Sequence, residues 1–149
     1  MNPELASTAD FAQVRALLLA CELPENDLNL SHMDDFLVLR SADGLAGCVG
    51  LERAGNAGLL RSLAVAPESR SVGLGDVLLR AIEAKAGTAG IQRLFLLTTT
   101  ASDFFAVRGY LPCPRSDAPD TIRSTTEFAS ICPASATCMT RPLGSTTSS

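Results

Sequence analysis

The chain has no tryptophan, one tyrosine and one lysine among its 149 residues. So few aromatic rings disfavour a stacking platform for single-stranded nucleic acid. The excess of 16 acidic over 12 basic residues, a formal net charge of -4, disfavours nucleic-acid binding more generally. No apolar run approaches the ~20 residues that span a bilayer, and no basic segment precedes an apolar one at the N-terminus. We therefore expect neither a nucleic acid nor a membrane as partner, and a cytoplasmic location.

The cysteines also lack the patterns that make disulfide frameworks or zinc sites. They are odd in number, and no two of them form a Cys-x-x-Cys pair. We therefore expect reduced thiols and no bound metal. The five are Cys21, Cys48, Cys113, Cys132 and Cys138.

What the chain does contain is a regular order of helix and strand patterns. Capping-box spacing at Ser7 and Asp10, followed by apolar residues three or four apart, predicts a helix over 8–21. Glycine-containing turns separate three apolar segments, 34–40, 45–51 and 59–65, which predicts three antiparallel strands. A helix from Leu74 to Lys85 then leads to a strand over 94–98. Such a strand–helix–strand crossover joins parallel neighbours, so we expect an α/β fold with a mixed sheet.

Weaker patterns complete the chain. A short helix over 102–108 ends at Gly109, and further strands are expected near Tyr110, over 122–125 and over 136–140. The Ser- and Thr-rich segment 144–149 has low complexity and is expected to be disordered. One domain over 1–143 is therefore predicted.

The segment Arg70-Ser71-Val72-Gly73-Leu74-Gly75 follows a strand and opens a helix. Backbone N–H groups at the positive end of the helix dipole bind phosphate, and glycines let a ligand approach the backbone closely. Arg70 adds positive charge. A Walker loop would need Gly-Lys-Ser/Thr, and a dinucleotide fingerprint would need three spaced glycines; neither is present. The segment therefore predicts a phosphate site of another kind.

These residues resemble the GNAT superfamily signature Arg/Gln-x-x-Gly-x-Gly/Ala, and 63–67 and 104–110 resemble two further segments of that superfamily. The resemblance implies a mostly antiparallel, twisted sheet, splayed at the cofactor site and flanked by helices. Within the superfamily, the segments 22–24, 48–52, 60–65, 122–128 and 132–136 are similar to the arsenic-resistance (ArsN-type) N-acetyltransferases. Some of these acetylate phosphinothricin or arsinothricin, which are glutamate analogues.

The resemblance implies transfer of an acetyl group from acetyl-CoA to the primary amine of a small molecule, without a metal; a homodimer is left open. The pantetheine arm would pair with the backbone of Leu63 and Val65, and the Val65 amide would polarise the thioester carbonyl. The expected cofactor contacts are Leu63, Ala64, Val65, Arg70, Ser71, Val72, Gly73, Leu74, Gly75, Asp76, Thr100, Phe104, Phe105 and Arg108.

The acceptor amine needs a base, and Glu52, at the end of a strand, is the first candidate, followed by Glu22 and Glu127. Its alternative role is an ion pair with Arg53 or Arg61. The expected substrate contacts are Glu22, Arg61, Ser62, Arg123 and Glu127, with the two arginines binding the anionic groups of an amino-acid-like acceptor.

Phe105 stands where many relatives have a tyrosine that protonates the departing thiolate, and Phe105 cannot donate a proton. Tyr110 could replace it, although a core position is expected for that residue. Two other functions remain open: a non-catalytic CoA-binding sensor, and a thiol-based metalloid binder that uses Cys132 and Cys138.

Overall fold

A computed structural model of the chain describes residues 2–23, 25–42, 44–69, 73–125 and 136–143. Several positions singled out above lie outside the described residues: Arg70, Ser71, Val72, Glu127, Cys132 and the segment 144–149. The helices are α1 (Phe11–Ala20), α2 (Leu74–Thr88), α3 (Ser102–Val107) and α4 (Asp120–Arg123). The strands are β1 (Glu4–Leu5), β2 (Phe36–Ser41), β3 (Gly44–Ala54), β4 (Ala57–Val65), β5 (Arg93–Thr98), β6 (Leu111–Pro112) and β7 (Thr137–Pro142).

The seven strands form one sheet in the order β1-β2-β3-β4-β5-β7-β6. Strands β4 and β5, which flank helix α2 in the chain, run parallel, with Ala57 opposite Arg93 and Leu59 opposite Phe95. The pairs β1–β2, β2–β3, β5–β7 and β6–β7 are antiparallel. The expected mixed, mostly antiparallel α/β fold is therefore confirmed.

The chain divides into two compact units, and the first comprises Met1–Glu52 and Arg61–Lys85. Its core includes Val14 and Leu18 of α1 and Phe36 and Val38 of β2, all fully buried. The aromatic ring of Phe36 fills the space beside Gly50, where a Cβ atom would lie 2.3 Å from the ring carbon Cε1. Because no other side chain fits at this position, the glycine fixes the packing of β3 against β2.

The second unit comprises Arg53–Leu60 and Ala86–Ser149. Its core is built on β4, β5 and β7, where Leu59, Phe95 and Cys138 are buried together with Ile122 of α4. Six residue pairs from Arg93↔Pro142 to Thr98↔Thr137 join β5 to β7. Strand β7 is therefore the best anchored part of the C-terminal segment.

The strand expected over 122–125 is wrong, because these residues continue or follow the helical turn α4. The N–H groups of Ile122 and Arg123 both donate to the carbonyl of Pro119 at 2.9 Å, and the Thr125 hydroxyl donates to the Ile122 carbonyl at 2.7 Å. Short hydroxyl side chains satisfy backbone groups locally and so compete with strand pairing. The two-residue strand β1 has no sequence signal and was not expected.

Candidate functional site

The carboxyl end of β4 departs from a regular strand. Ser62 has a φ of 62°, in the left-handed region that non-glycine residues seldom adopt. Ala57–Arg61 are all buried, whereas Ser62 and Leu63 are both half-buried, so the burial of the strand changes at this point. Ala64 is buried and Val65, the last residue of β4, is half-buried. The irregularity therefore changes the direction of the backbone in the segment expected to meet the pantetheine arm.

Immediately before this irregularity, Arg61 is buried against two carboxylates. Its side chain is 0% exposed, and its Nη1 and Nη2 atoms donate to the carboxylate of Asp27 at 2.5 and 2.8 Å. Nη1 also donates to Glu52 Oε2 at 2.7 Å, and Nε donates to the Ser62 hydroxyl at 3.0 Å. At least four of the five N–H groups of the guanidinium are thus directed at protein acceptors.

Two carboxylates facing one guanidinium leave this cluster with one excess negative charge when both are ionised. Burial raises the pKa of Asp27, but the hydrogen bonds and charge of Arg61 outweigh burial and hold that pKa below its usual value. Asp27 is only 4% exposed, whereas Glu52 is 18% exposed. The accessible part of the negative charge is therefore on Glu52. We call Asp27, Glu52 and Arg61 the Arg61 cluster.

Helix α2 begins close after β4 in the chain, at the glycines expected to bind pyrophosphate. Gly73 has a φ of 78°, and no heavy atom of the described residues lies within 4 Å of where its Cβ would stand. The N–H group of Val77 donates to the Gly73 carbonyl at 3.2 Å. At the N-terminus of an α-helix, the N–H groups of the first turn point out of the helix and can donate to a ligand. The geometry suits an anion, and the Asp76 carboxylate already accepts a 3.0 Å hydrogen bond from Arg80.

Two thiols contact the backbone of the same strand, and neither was assigned a site role from the sequence. Cys21 Sγ donates to the Val65 carbonyl at 3.6 Å, and Cys48 Sγ donates to the Ser62 carbonyl at 3.3 Å. Burial raises the pKa of Cys48 to about 12, so that thiol stays protonated. Glu22, which follows Cys21, has a φ of 59° and belongs to the same unit. These contacts hold β4 in its irregular conformation.

The remaining expected site residues belong to the second unit. Thr100 is exposed, and Phe104 is half-buried beneath the Arg108 guanidinium, which lies 3.7 Å from its ring centroid. Phe105 is 6% exposed and makes an edge-to-face contact with Tyr110 at 5.5 Å. Tyr110 is fully buried, which confirms its expected core position.

Arg123 is the other arginine expected to bind the acceptor. It lies on α4 in the second unit, where its side chain is 45% exposed and forms an ion pair with Asp120. Unlike Arg61, it keeps a large part of its surface in contact with solvent. Throughout the part of the chain that the structure describes, no three His, Cys, Asp or Glu side chains form a metal-binding group, and no helix is long and apolar enough to cross a membrane.

The acetyltransferase (GNAT) domain family matches residues 32–111, more than half of the chain. The chain belongs to this family. The matched segment includes β2, β3 and β4, the Arg61 and Glu52 side chains and the α2 turn, so the GNAT assignment covers most of the first unit. The expected membership of the GNAT superfamily is thereby confirmed.

Curated relatives of this GNAT domain are described as amino-acid acetyltransferases. The one from Neisseria meningitidis (serogroup A, strain Z2491) is 36% identical over 95 residues, which cover 62% of this chain but 22% of that protein. The one from Pseudomonas fluorescens (strain SBW25) is 37% identical over 83 residues, 54% of this chain and 19% of that protein. The chain thus corresponds to a minor part of each relative.

Solved structures extend the likeness to nearly the whole chain. N-acetylglutamate synthase from Neisseria gonorrhoeae, crystallised with coenzyme A and N-acetyl-glutamate, superposes with a TM-score of 0.82 at 27% identity, covering 95% of this chain and 35% of that one. Rv2747 from Mycobacterium tuberculosis, crystallised with CoA, gives a TM-score of 0.82 at 23% identity and covers 96% of this chain and 99% of that one. The second likeness shows the fold alone.

Proposed function

We propose that this GNAT domain transfers the acetyl group of acetyl-CoA to the α-amino group of an amino acid, with glutamate or a glutamate-like compound as acceptor. The observation that carries the proposal is the Arg61 cluster. It presents the partly exposed carboxylate of Glu52 with an excess negative charge, beside the strand expected to bind the thioester. Relatives named for amino-acid acetylation and a neighbour crystallised with N-acetyl-glutamate support the choice of acceptor.

The acetyl-CoA site follows from β4 and the start of α2. The pantetheine arm pairs with the backbone of Leu63 and Val65, and the pyrophosphate lies at the α2 turn, where no described residue comes within 4 Å of the Cβ position of Gly73. The Val65 amide polarises the thioester carbonyl, because a fixed N–H donor stabilises the oxyanion that forms there. Further proposed cofactor contacts are Ala64, Leu74, Gly75, Asp76, Thr100, Phe104, Phe105 and Arg108, together with Arg70, Ser71 and Val72.

Glu52 serves as the base. An amino acid arrives as an ammonium ion and is attracted by the negative charge of the cluster. Glu52 removes one proton, directly or through water, and the free amine attacks the thioester carbon. The nitrogen of the tetrahedral intermediate loses a second proton to water, and the intermediate collapses as the C–S bond breaks. CoA leaves as a thiolate that takes a proton from water.

Arg61 takes a positioning role in this scheme, in place of the acceptor contact expected from the sequence. Its guanidinium is buried, and its donors are directed at Asp27, Glu52 and Ser62, so it orients the base. The anionic end of the acceptor is assigned to Arg123 instead, because that guanidinium is partly exposed. Glu22, Ser62 and Glu127 complete the proposed acceptor contacts.

A narrower form of the proposal concerns detoxification. Arsenic- and phosphorus-containing glutamate analogues carry the same α-amino group and an anionic end that an arginine can bind with two hydrogen bonds. The ArsN-type similarity of segments 48–52 and 60–65 supports such an acceptor. Glutamate itself is the simpler one.

An acceptor screen tests both forms. The full chain is incubated with acetyl-CoA and each amine, and free CoA thiol is measured while mass spectrometry identifies the product. Glutamate, aspartate, alanine and phosphinothricin form the panel, with 4-aminobutyrate as the matched control that lacks the α-carboxylate. Turnover of phosphinothricin above glutamate would support the narrower form. Thermal stabilisation by CoA without thiol release from any amine would overturn the proposal in favour of a non-catalytic CoA binder.

The Glu52→Gln variant separates a catalytic Glu52 from a structural one. The amide oxygen still accepts a hydrogen bond from Arg61 but is a poor base, so we expect kcat to fall roughly 10²–10⁴-fold with acetyl-CoA affinity unchanged. Glu25→Gln is the matched control, since Glu25 is also a largely buried carboxylate, 12% exposed, that is paired with an arginine. A kcat within threefold of the parent would contradict the assignment of Glu52 as the base.

A further inference from the structure

Two thiols outside the proposed site lie in contact in the second unit. Cys113, just after β6, has its Sγ atom 3.5 Å from the Sγ atom of Cys138 on β7. Both are free thiols; Cys113 is half-buried and Cys138 is buried. They are 25 residues apart, so no local sequence pattern marks them as a pair.

The backbone holds this pair face to face. Cys113 N donates to the Cys138 carbonyl at 2.9 Å, which continues the β6–β7 ladder by one residue. Prolines stand on both sides of Cys113, and a residue that precedes proline is restricted to extended conformations. Facing residues of antiparallel strands have Cα atoms ~4.5–5.5 Å apart, inside the range that a disulfide spans.

The surroundings of the pair are anchored on two sides. Cys138 pairs with Leu97 in the six-residue β5–β7 ladder and packs in the core of the unit. Arg115, two residues after Cys113, donates through Nη2 to the Ala136 carbonyl at 3.1 Å, two residues before Cys138. The two sulfur atoms therefore have little freedom to separate, and a disulfide needs only their approach to about 2.05 Å.

We propose that Cys113 and Cys138 form a reversible disulfide by exchange with a small-molecule disulfide such as glutathione disulfide. The Cys113 thiolate attacks one glutathione sulfur, the S–S bond breaks, and one glutathione leaves as a thiolate. The Cys138 thiolate then attacks the Cys113 sulfur of the mixed disulfide and releases the second glutathione. The two protein thiols lose two electrons and two protons, and the two glutathione thiols that form gain these electrons and protons.

Exposure fixes the order of the two steps. Cys113 is the more accessible thiol and reacts first with the soluble disulfide. Burial, together with the contact with Cys113 and the charge of Asp117, raises the pKa of Cys138 to about 12, against the lowering effect of Arg115. Little Cys138 thiolate is present at neutral pH, so closure is slow and accelerates about tenfold per pH unit where it limits the rate.

Closing the bond would restrain the intervening segment in the unfolded chain. For a separation of this length, the stabilisation predicted from loop closure corresponds to a rise in Tm of roughly 10 °C. The segment carries α4 and Arg123, so an effect of the disulfide on the acceptor KM rests on the proposed function. Formation of the disulfide does not rest on it.

The test uses the full chain carrying Cys132→Ser, so that one candidate competing thiol is removed. The protein is incubated with glutathione disulfide at pH 8, free thiols are alkylated, and non-reduced peptides are identified by mass spectrometry. We expect one cross-link, between the peptides containing Cys113 and Cys138, and a Tm increase that dithiothreitol reverses. In the Cys113→Ser and Cys138→Ser variants both signals are lost, and in the Cys21→Ser control both persist.

Three results would overturn the proposal: a stable glutathione adduct on Cys113 without cross-linking, a bond between other cysteines, or no reaction at pH 9. The reduced Tm of each variant is recorded first, so that a folding defect is distinguished from loss of the bond. Because thiol chemistry and acetyl transfer are measured separately, failure of one does not affect the other.

Discussion

The Arg61 cluster predicts a large and pH-dependent loss of stability on replacing Arg61 with methionine. The substitution keeps an unbranched apolar side chain of similar length but removes the guanidinium that pairs with Asp27, whose carboxylate is 4% exposed, and with Glu52, which is 18% exposed. Removing one partner of a buried ion pair costs about 3–5 kcal/mol. With a urea m-value of about 2 kcal/mol/M, the unfolding midpoint should fall by roughly 2 M.

The sign of the pH dependence follows from the same change. Without the guanidinium, burial raises the pKa of Asp27 in the folded state above its unfolded value. A group with a raised folded pKa contributes stability below its unfolded pKa and loses it as the pH rises through the folded pKa. The deficit of the Arg61→Met variant should therefore be larger at pH 7 than at pH 4.5.

Urea unfolding followed by circular dichroism at the two pH values measures this. Arg80→Met is the matched control, because Arg80 is 75% exposed in its ion pair with Asp76 and should cost under about 1 kcal/mol. A triple variant with Asp27→Asn, Glu52→Gln and Arg61→Met removes all three charges and should recover part of the loss. Equal costs for Arg61→Met and Arg80→Met, or a deficit that does not depend on pH, would refute the reasoning.

Three further predictions concern the cofactor, the acceptor and acid stability. Gly73→Val should weaken acetyl-CoA binding at least tenfold, measured by calorimetry, because its side chain would occupy the space at the α2 turn that no described residue fills. Gly55→Val, at a similar φ of 66°, is the control and should leave acetyl-CoA binding unchanged. Arg123→Ala should raise acceptor KM about tenfold with acetyl-CoA KM unchanged, whereas Arg15→Ala, equally exposed, should change neither. A hydrogen bond from Arg40 on β2 lowers the pKa of Asp10 to about 2. The parent should therefore lose free energy of unfolding as the pH falls from about 4 to 2, and Asp10→Asn should lose less over the same range.

Much of the fold could be predicted because its elements are fixed by local patterns. Glycine turns separate β2, β3 and β4, and a helical apolar period defines α2, so both the hairpin and the parallel crossover follow from neighbours in the chain. The segment after Pro119 was wrongly predicted as a strand, because Ile122 and the hydroxyl residues beside it have a strand-like composition. Local hydrogen bonds to the Pro119 carbonyl give the segment a helical conformation instead.

The candidate site was only partly predictable for a related reason. Arg61, Glu52 and Ser62 could be named because they lie in segments with a family pattern, but Asp27 is 34 residues from Arg61 and lies in an irregular loop. No local sequence pattern identifies an aspartate as the partner of a buried arginine. The positive φ of Ser62 was equally hidden, since the residue is not glycine and the surrounding strand imposes the conformation.

Phe105 is a packing residue at a position where many relatives have a tyrosine. The sequence excludes a proton donor at this position, and the structure gives the ring a packing role, 6% exposed against Phe104 and Tyr110. A tyrosine hydroxyl there would need a hydrogen-bonding partner within that aromatic contact. In the proposed reaction the leaving group is a thiolate, and thiols ionise readily: a free cysteine thiol, with a pKa of about 8.5, ionises at pH 7 at a cost of only about 2 kcal/mol. The chain can therefore retain a phenylalanine here, because the thiol is acidic enough to leave as a thiolate, which takes its proton from water after the C–S bond has broken.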